Sequence, residues 1–281
     1  MCEFCHKHGE GRKWYLEAKN YGEDLLSDAR RRKFITGFGT DSEAVLNAIA
    51  GMDKLDTLPG FVRRVVTWNM TRRMKQMHYG QVLPIEDVER IFDFVGTITR
   101  VECSCRKATV GPDARYCYGV SIAPNGGELA RLFGEVTTPQ VTGLEARGLE
   151  TRTKEQAIAE FREYEKEGLC HTVWTFVAPF IGGVCNCDRT DCLAMRSTVT
   201  YGMPVMFRAE YVAEADHDAC SGCRSCMRVC QFGAIGYGAT RAKVTIDPRK
   251  CYGCGICRSV CAKNAISLRD RRSVPAAARL W

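Results

Sequence analysis

The 281-residue chain reads as an α+β protein in three parts. These are a helical N-terminal region (1–96), a small α/β unit rich in cysteine (97–213) and a C-terminal unit with an internal pseudo-twofold (214–281). Three observations predict this. Apolar residues recur at helical spacing through much of the first hundred positions, and strand-like alternation sets in after Gly96. Cysteines 220, 223, 226 and 230 then recur as 251, 254, 257 and 261, each displaced by 31 positions. With 45% apolar residues, the chain can bury a core far larger than the duplicated segment alone.

Asp41-Ser42 offers an N-cap for a helix over 44–50, which Gly51 would close. Leu58-Pro59-Gly60 leads into a second helix over 61–79. Val62, Val66, Met70, Met74 and Met77 form its stripe, and Gly80 is a natural residue just past its end. Arg63, Arg64, Arg72, Arg73 and Lys75 occupy its other faces, which keeps peripheral contact with a membrane surface open. Pro84 starts a third helix whose apolar stripe is Ile85, Val88, Ile91, Phe92 and Val95. Residues 97–102 alternate as a strand and run into Cys103-Ser104-Cys105-Arg106. Thr153 and Gln156 form a capping box for a helix to about Glu167, closed by Gly168. Residues 169–178, rich in β-branched and aromatic side chains, make the next strand, which leads on through Gly182-Gly183 to Cys185-Asn186-Cys187.

The duplicated run C-x2-C-x2-C-x3-C is the spacing at which thiolates hold 4Fe–4S cubanes. Two C-x2-C pairs alone would also suit zinc, but a third and fourth cysteine in each run, and the duplication, favour iron–sulfur. The fourth cysteine of each run ligates the other run's cluster in this pattern. One set is therefore Cys220, Cys223, Cys226 and Cys261, and the other is Cys251, Cys254, Cys257 and Cys230. Gly222, Gly253 and Gly255 suit loops that need positive φ and close approach of backbone N–H to sulfur.

Residues 214–270 resemble the two-cluster 4Fe–4S ferredoxins of bacterial type. The resemblance implies a cluster-binding loop, a short helix and a strand in each half, with Ala234-Ile235 and Ala265-Ile266 over the clusters. Two features depart from it. Gln231 and Ala262 stand where proline usually follows the fourth cysteine, and each would restore an N–H near sulfur that favours the reduced cluster. The unit also carries twelve Arg and Lys against four Asp from 216 onward, which suits docking to an acidic partner. Cys103-Ser104-Cys105-Arg106 and Cys185-Asn186-Cys187 further resemble 4Fe–4S binding proteins of anaerobes, in which C-x-C-R and C-N-C segments precede such a unit. That resemblance implies an iron–sulfur subunit of a larger redox assembly.

Nine cysteines remain. Cys103, Cys105 and Cys117, with Cys185, Cys187 and Cys192, read as two three-thiol half-sites. Cys2 and Cys5 add two thiolates, enough to complete two further cubanes, and Cys170 is left as a packed core residue. Zinc and a structural or redox-thiol role are the alternatives for the upstream cysteines, and Cys2, Cys5, His6 and His8 form a strained candidate zinc knuckle. His78 and His171 read as ordinary hydrogen-bonded histidines.

The net charge of +7 does not argue for nucleic acid, because each oxidised cubane with four thiolates brings about −2 and no nucleic-acid motif accompanies the charge. No nucleotide loop or nucleophile elbow stands out. The start Met1-Cys2-Glu3-Phe4-Cys5-His6 lacks the apolar run of a secretory signal, and no stretch is long and apolar enough to span a bilayer. The expectation is a cytoplasmic electron-transfer subunit of a multi-subunit oxidoreductase, working with a flavoprotein or another iron–sulfur protein, without catalytic residues of its own. The alternatives are an enzyme with an open-iron cluster in the upstream unit and a non-redox module with a structural metal.

Overall fold

A computed structural model describes residues 3–9, 12–38, 42–107, 109–111, 113–136 and 149–280. In chain order the elements are α1 (Glu3–His8), α2 (Ala29–Phe38), α3 (Ser42–Asp53), α4 (Gly60–Met77), β1 (Gly80–Val82), α5 (Ile85–Phe94), β2 (Thr97–Val101) and α6 (Ser104–Lys107). There follow β3 (Cys117–Ser121), α7 (Gly127–Val136), β4 (Glu150–Arg152), α8 (Lys154–Glu167), β5 (Cys170–Thr175), β6 (Ile181–Cys187), α9 (Leu193–Val199) and β7 (Met206–Phe207). The chain ends with β8 (Tyr211–Ala215), α10 (Ser225–Val229), β9 (Ile235–Gly238), β10 (Lys243–Ile246), α11 (Ile256–Ser259) and β11 (Ile266–Asp270). The mixture of helices and strands is that of an α+β protein, as the sequence predicts.

Among the described residues the larger sheet has seven strands in the order β4-β2-β3-β6-β5-β1-β7. Its pairs are antiparallel except β1 with β7. The two-residue period of a strand sorts the side chains onto two faces. On β5, His171 and Val173 turn towards a core shared with α5 and α8, where Val88, Ile91 and Phe92 meet Ala157, Phe161 and Tyr164. Cys170 and Trp174 turn to the opposite face, among Cys187, Cys192 and Met195. A C-x-C on a strand therefore delivers both thiols to one side, as β6 does with Cys185 and Cys187.

Several expected elements appear with altered ends. The N-cap at Asp41 lies outside the described residues. Helix α3 runs through Gly51 to Asp53, so that glycine closes nothing: its φ is not positive, and a helical glycine costs only about 1 kcal/mol. Gly80 opens β1 and does not close α4, which ends on His78. Glycine is required at position 80 by packing, since a Cβ there would lie 2.9 Å from the Trp174 ring. The stripe of α4 is only partly engaged: Val66 and Met74 pack against the core, Met70 is 39% exposed, and no residue of this helix is buried. Helix α8 matches its expectation: Thr153 accepts from the Gln156 N–H, Gln156 returns the bond to the Thr153 N–H, and Gly168 closes with φ 89°.

The C-terminal unit repeats its geometry as it repeats its cysteines. Strand β8 pairs with β11, and β9 with β10. The Asp216 N–H donates to Ala265 O and the Asp247 N–H to Ala234 O, both at 2.8 Å, so the two halves exchange equivalent bonds. Gly222 and Gly253 have φ of 69° and 72°. A Cβ would fall 2.0 Å from Ala242 O at the first and 2.1 Å from Tyr211 O at the second. Ala242 and Tyr211 are themselves 31 residues apart. A buried ion group fixes the N-terminal segment to this unit: Arg12 pairs with Glu210 and Asp270, and Glu210 also faces Arg271. Among the described residues no helix is long and apolar enough to cross a membrane.

Two substitutions check this account by denaturant titration. Thr153→Ala should cost about 1 kcal/mol through loss of the cap. Gly253→Ala should cost more, because positive φ and a carbonyl in the path of its Cβ act together; equal stability to the parent chain would contradict the loop geometry.

Candidate functional site

The eight C-terminal cysteines fall into two groups. Around Cys226 stand Cys223, Cys261 and Cys220, whose charges, after burial, push its thiol upward. Around Cys257 stand Cys254, Cys251 and Cys230, then Cys226 of the first group, and burial with these neighbours raises Cys257 well above an ordinary thiol. Cys261 is thus among the neighbours of Cys226, and Cys230 among those of Cys257. Burial likewise pushes Cys251 up to about 11. Two thiols run the other way: Cys223 is exposed and held below the usual range by the Ser225 N–H and hydroxyl, and Cys254 is lowered by the Cys170 thiol.

Backbone amides approach four of these sulfurs. The N–H groups of Ala234 and Ala265 donate to Cys230 Sγ and Cys261 Sγ, each at 3.3 Å. The N–H of Gly222 reaches Cys220 Sγ and that of Ala213 reaches Cys251 Sγ, each at 3.4 Å. These donors differ from the Gln231 and Ala262 amides that the sequence nominated. Gln231 has another role: its Nε2 donates to Gly168 O at 2.7 Å and its Oε1 accepts from the Arg189 N–H at 3.1 Å. That side chain joins the C-terminal unit to the sheet. The donor set fits a cubane in each group: soft thiols, buried and mutually repelling, with N–H dipoles aimed at sulfur.

The six upstream cysteines line a single cavity of about 100 Å³, against a wall that includes Phe38, Phe133, Trp174 and Phe176. Secondary structure brings them there. Cys117 pairs in register with Cys185 across β3 and β6, while Cys103 precedes α6 and Cys192 caps α9. The two half-sites expected from the sequence are re-sorted in space. Cys103 faces Cys117, which faces Cys185. Cys105 and Cys187 both face Cys192. The Cys117 thiol, the Tyr116 N–H and the Arg106 charge together bring Cys103 down to about 7. Cys192 is held well below the usual thiol range by hydrogen bonds from Cys105 and Cys187, which are themselves driven up.

Arg106 is the counter-charge of the cavity. It is 3% exposed, ion-paired with Asp188, bonded to Asn186 O at 2.8 Å and stacked 4.5 Å from the Tyr116 ring centroid. Asn186 Oδ1 in turn accepts from His171 Nδ1 at 2.6 Å, and His78 Nδ1 donates to Thr175 O at 2.6 Å. Both histidines therefore have ordinary hydrogen-bond partners. Burial lowers His78 to about 4, so it stays neutral beside the cavity.

Cys170, set aside on sequence as a core residue, is fully buried but not idle. Its thiol faces Cys254 of the second C-terminal group, and its backbone pairs with Cys187 of the cavity. Nothing in its spacing pointed there. Cys5 lies apart from the cavity lining: its thiol is buried near Phe4 and Trp14, 3.9 Å from Glu210 Oε1. Cys2 lies outside the described residues. No three or more His, Cys, Asp or Glu side chains among the described residues converge on a point suited to one metal ion. A cubane asks for less convergence, since its four thiolates each bind a different iron.

Cys105→Ala and Cys187→Ala should each lower iron content per chain while leaving the EPR signal of the C-terminal unit in place. Unchanged iron in both variants would return these thiols to a purely structural role.

The family described as "4Fe-4S dicluster domain" matches residues 219–265. No curated protein matches the chain. The match takes in the cysteines from 220 to 261 and no upstream one, so 4Fe–4S clusters are the cofactor of the C-terminal unit and the chain has the capacity for iron–sulfur electron transfer.

Proposed function

We propose that the chain is an electron-transfer subunit of a multi-subunit oxidoreductase, with a further iron–sulfur cluster held by the six-thiol cavity. Cys220, Cys223, Cys226 and Cys261 would hold one cluster of the dicluster domain, and Cys251, Cys254, Cys257 and Cys230 the other. Bound clusters supply one-electron chemistry. The observation that carries the reading is the contact of Cys170 with Cys254, because Cys170 is also paired across the sheet with Cys187 of the cavity and so stands between the two thiol groups. Continuity of that kind serves electron transfer and is needless for a structural metal.

The protein's own residues supply the insulation and the docking. Burial keeps water from the inner thiols, while Cys223 opens the first group to the surface near the exposed Arg224, Arg228 and Arg241. Such a face would receive an acidic partner, a flavoprotein or another iron–sulfur protein, with an ionic-strength-dependent rate. The compartment that suits so many reduced thiols is the cytoplasm.

A second reading is supported by the apolar wall of the cavity. A trio such as Cys105, Cys187 and Cys192 would leave one iron of a cubane without a thiolate, open to a small substrate beside Trp174 and Phe176. Cys2 and Cys5 stay candidates for a fourth ligand pair elsewhere.

Iron and zinc quantitation with EPR spin counting on anaerobically purified protein tests these readings. The dicluster domain alone should give about eight irons per chain, and the cavity cluster more than that. A content of about eight would remove the further cluster; zinc in the upstream unit would favour the structural module.

A further inference from the structure

A second cleft, of about 610 Å³, lies between α1, the first turn of α2, α4 and the segment after β5. Lys7, Arg30, Arg31, Arg72 and Lys75 line it against a single carboxylate, Asp28. That carboxylate is already engaged: its Oδ1 caps α2 by accepting the N–H groups of Arg30 and Arg31 at 2.8 and 3.1 Å. Arg31 is also engaged, bonding the carbonyls of Leu25, Phe176 and Val177. Three of the other cations also touch apolar neighbours. Arg72 lies 5.6 Å from the Trp68 ring centroid, Lys75 lies 5.5 Å from that of Phe207, and Arg30 meets Met77 sulfur at 2.8 Å.

Trp68, Arg72 and Lys75 follow one another at i, i+4 and i+7, so they share one face of α4. That helix carries five Arg and Lys and no acidic residue. Thr71, which also lines the cleft, has a buried hydroxyl with no hydrogen-bond partner among the described residues. The Trp68 ring is 60% exposed.

We propose that this cleft binds a small phosphate-bearing ligand with a flat aromatic ring, a nucleotide in chemical class. Concentrated cations in a concavity focus a positive potential, and guanidinium forks match phosphate oxygens. The open face of Trp68 offers a stacking surface to the ring. The volume is that of a small-molecule site. A lipid surface is less well matched, because these cations line a recess. The inference is independent of the electron-transfer reading.

Calorimetric titration of the full, anaerobically purified chain with ADP and with inorganic pyrophosphate tests it. ADP should bind once per chain, more tightly than pyrophosphate, and more weakly as salt is added. Arg72→Glu should weaken both ligands by about tenfold or more. Trp68→Ala should remove the advantage of ADP and leave pyrophosphate unchanged. No residue of α4 is buried, and retained visible absorbance of each variant reports an intact dicluster unit. Absence of ADP binding, indifference to Arg72→Glu, or equal affinity for pyrophosphate would overturn the proposal. Capture of the chain by phosphatidylglycerol vesicles without ADP binding would likewise overturn it, and assign the cations to a membrane surface.

Discussion

Thiolates repel one another, and burial makes that repulsion severe. Cys257 feels four other cysteines, and Cys105, Cys187 and Cys192 crowd each other in a dry cavity. Protonated, these groups can sit together without charge; held as thiolates, they need positive charge close by. Arg106 supplies part of it upstream, and backbone N–H dipoles supply part of it in the C-terminal unit. An iron–sulfur core is the remaining source that this donor set suits. The glycines at positions 222 and 253 answer to the backbone instead: φ is positive at both, and a Cβ there would meet the carbonyls of Ala242 and Tyr211.

The sheet meets the same constraint differently. It sets Cys117, Cys185 and Cys187 on strands, leaves Cys103, Cys105 and Cys192 to the connections and short helices beside them, and covers the opposite face with α5 and α8. Register then determines the neighbours. Cys117 opposite Cys185 and Cys170 opposite Cys187 are consequences of strand pairing, and the cavity follows from them. The apolar wall of Trp174 and Phe176 comes from the same strand and its continuation.

Local signals in the sequence were the ones that proved legible. The displacement of 31 positions reappears in the matched Asp216 and Asp247 hydrogen bonds, and the Thr153 capping box is present as written. Both depend on residues a few positions apart or on exact duplication. The regrouping of upstream cysteines was not legible, because it depends on which strands become neighbours. Cys170 is the packed core residue that the sequence predicts, but its neighbour Cys254 was not legible for the same reason: it is distant in sequence. Gly51 and Gly80 misled because a glycine in a helix or beside an indole ring looks, in sequence, like a glycine that ends a helix.

Gln231 occupies the position after Cys230 where relatives of the dicluster unit usually carry a ring without an N–H. Its amide clasps Gly168 O on one side and the Arg189 N–H on the other. Tunnelling falls exponentially with separation, so a hinge between the two halves of the molecule would make the hopping rate fluctuate with every bend. Under the proposed electron-transfer role, a two-ended clasp beside Cys230 would hold that separation constant and make the junction a fixed conductor instead of a gated one.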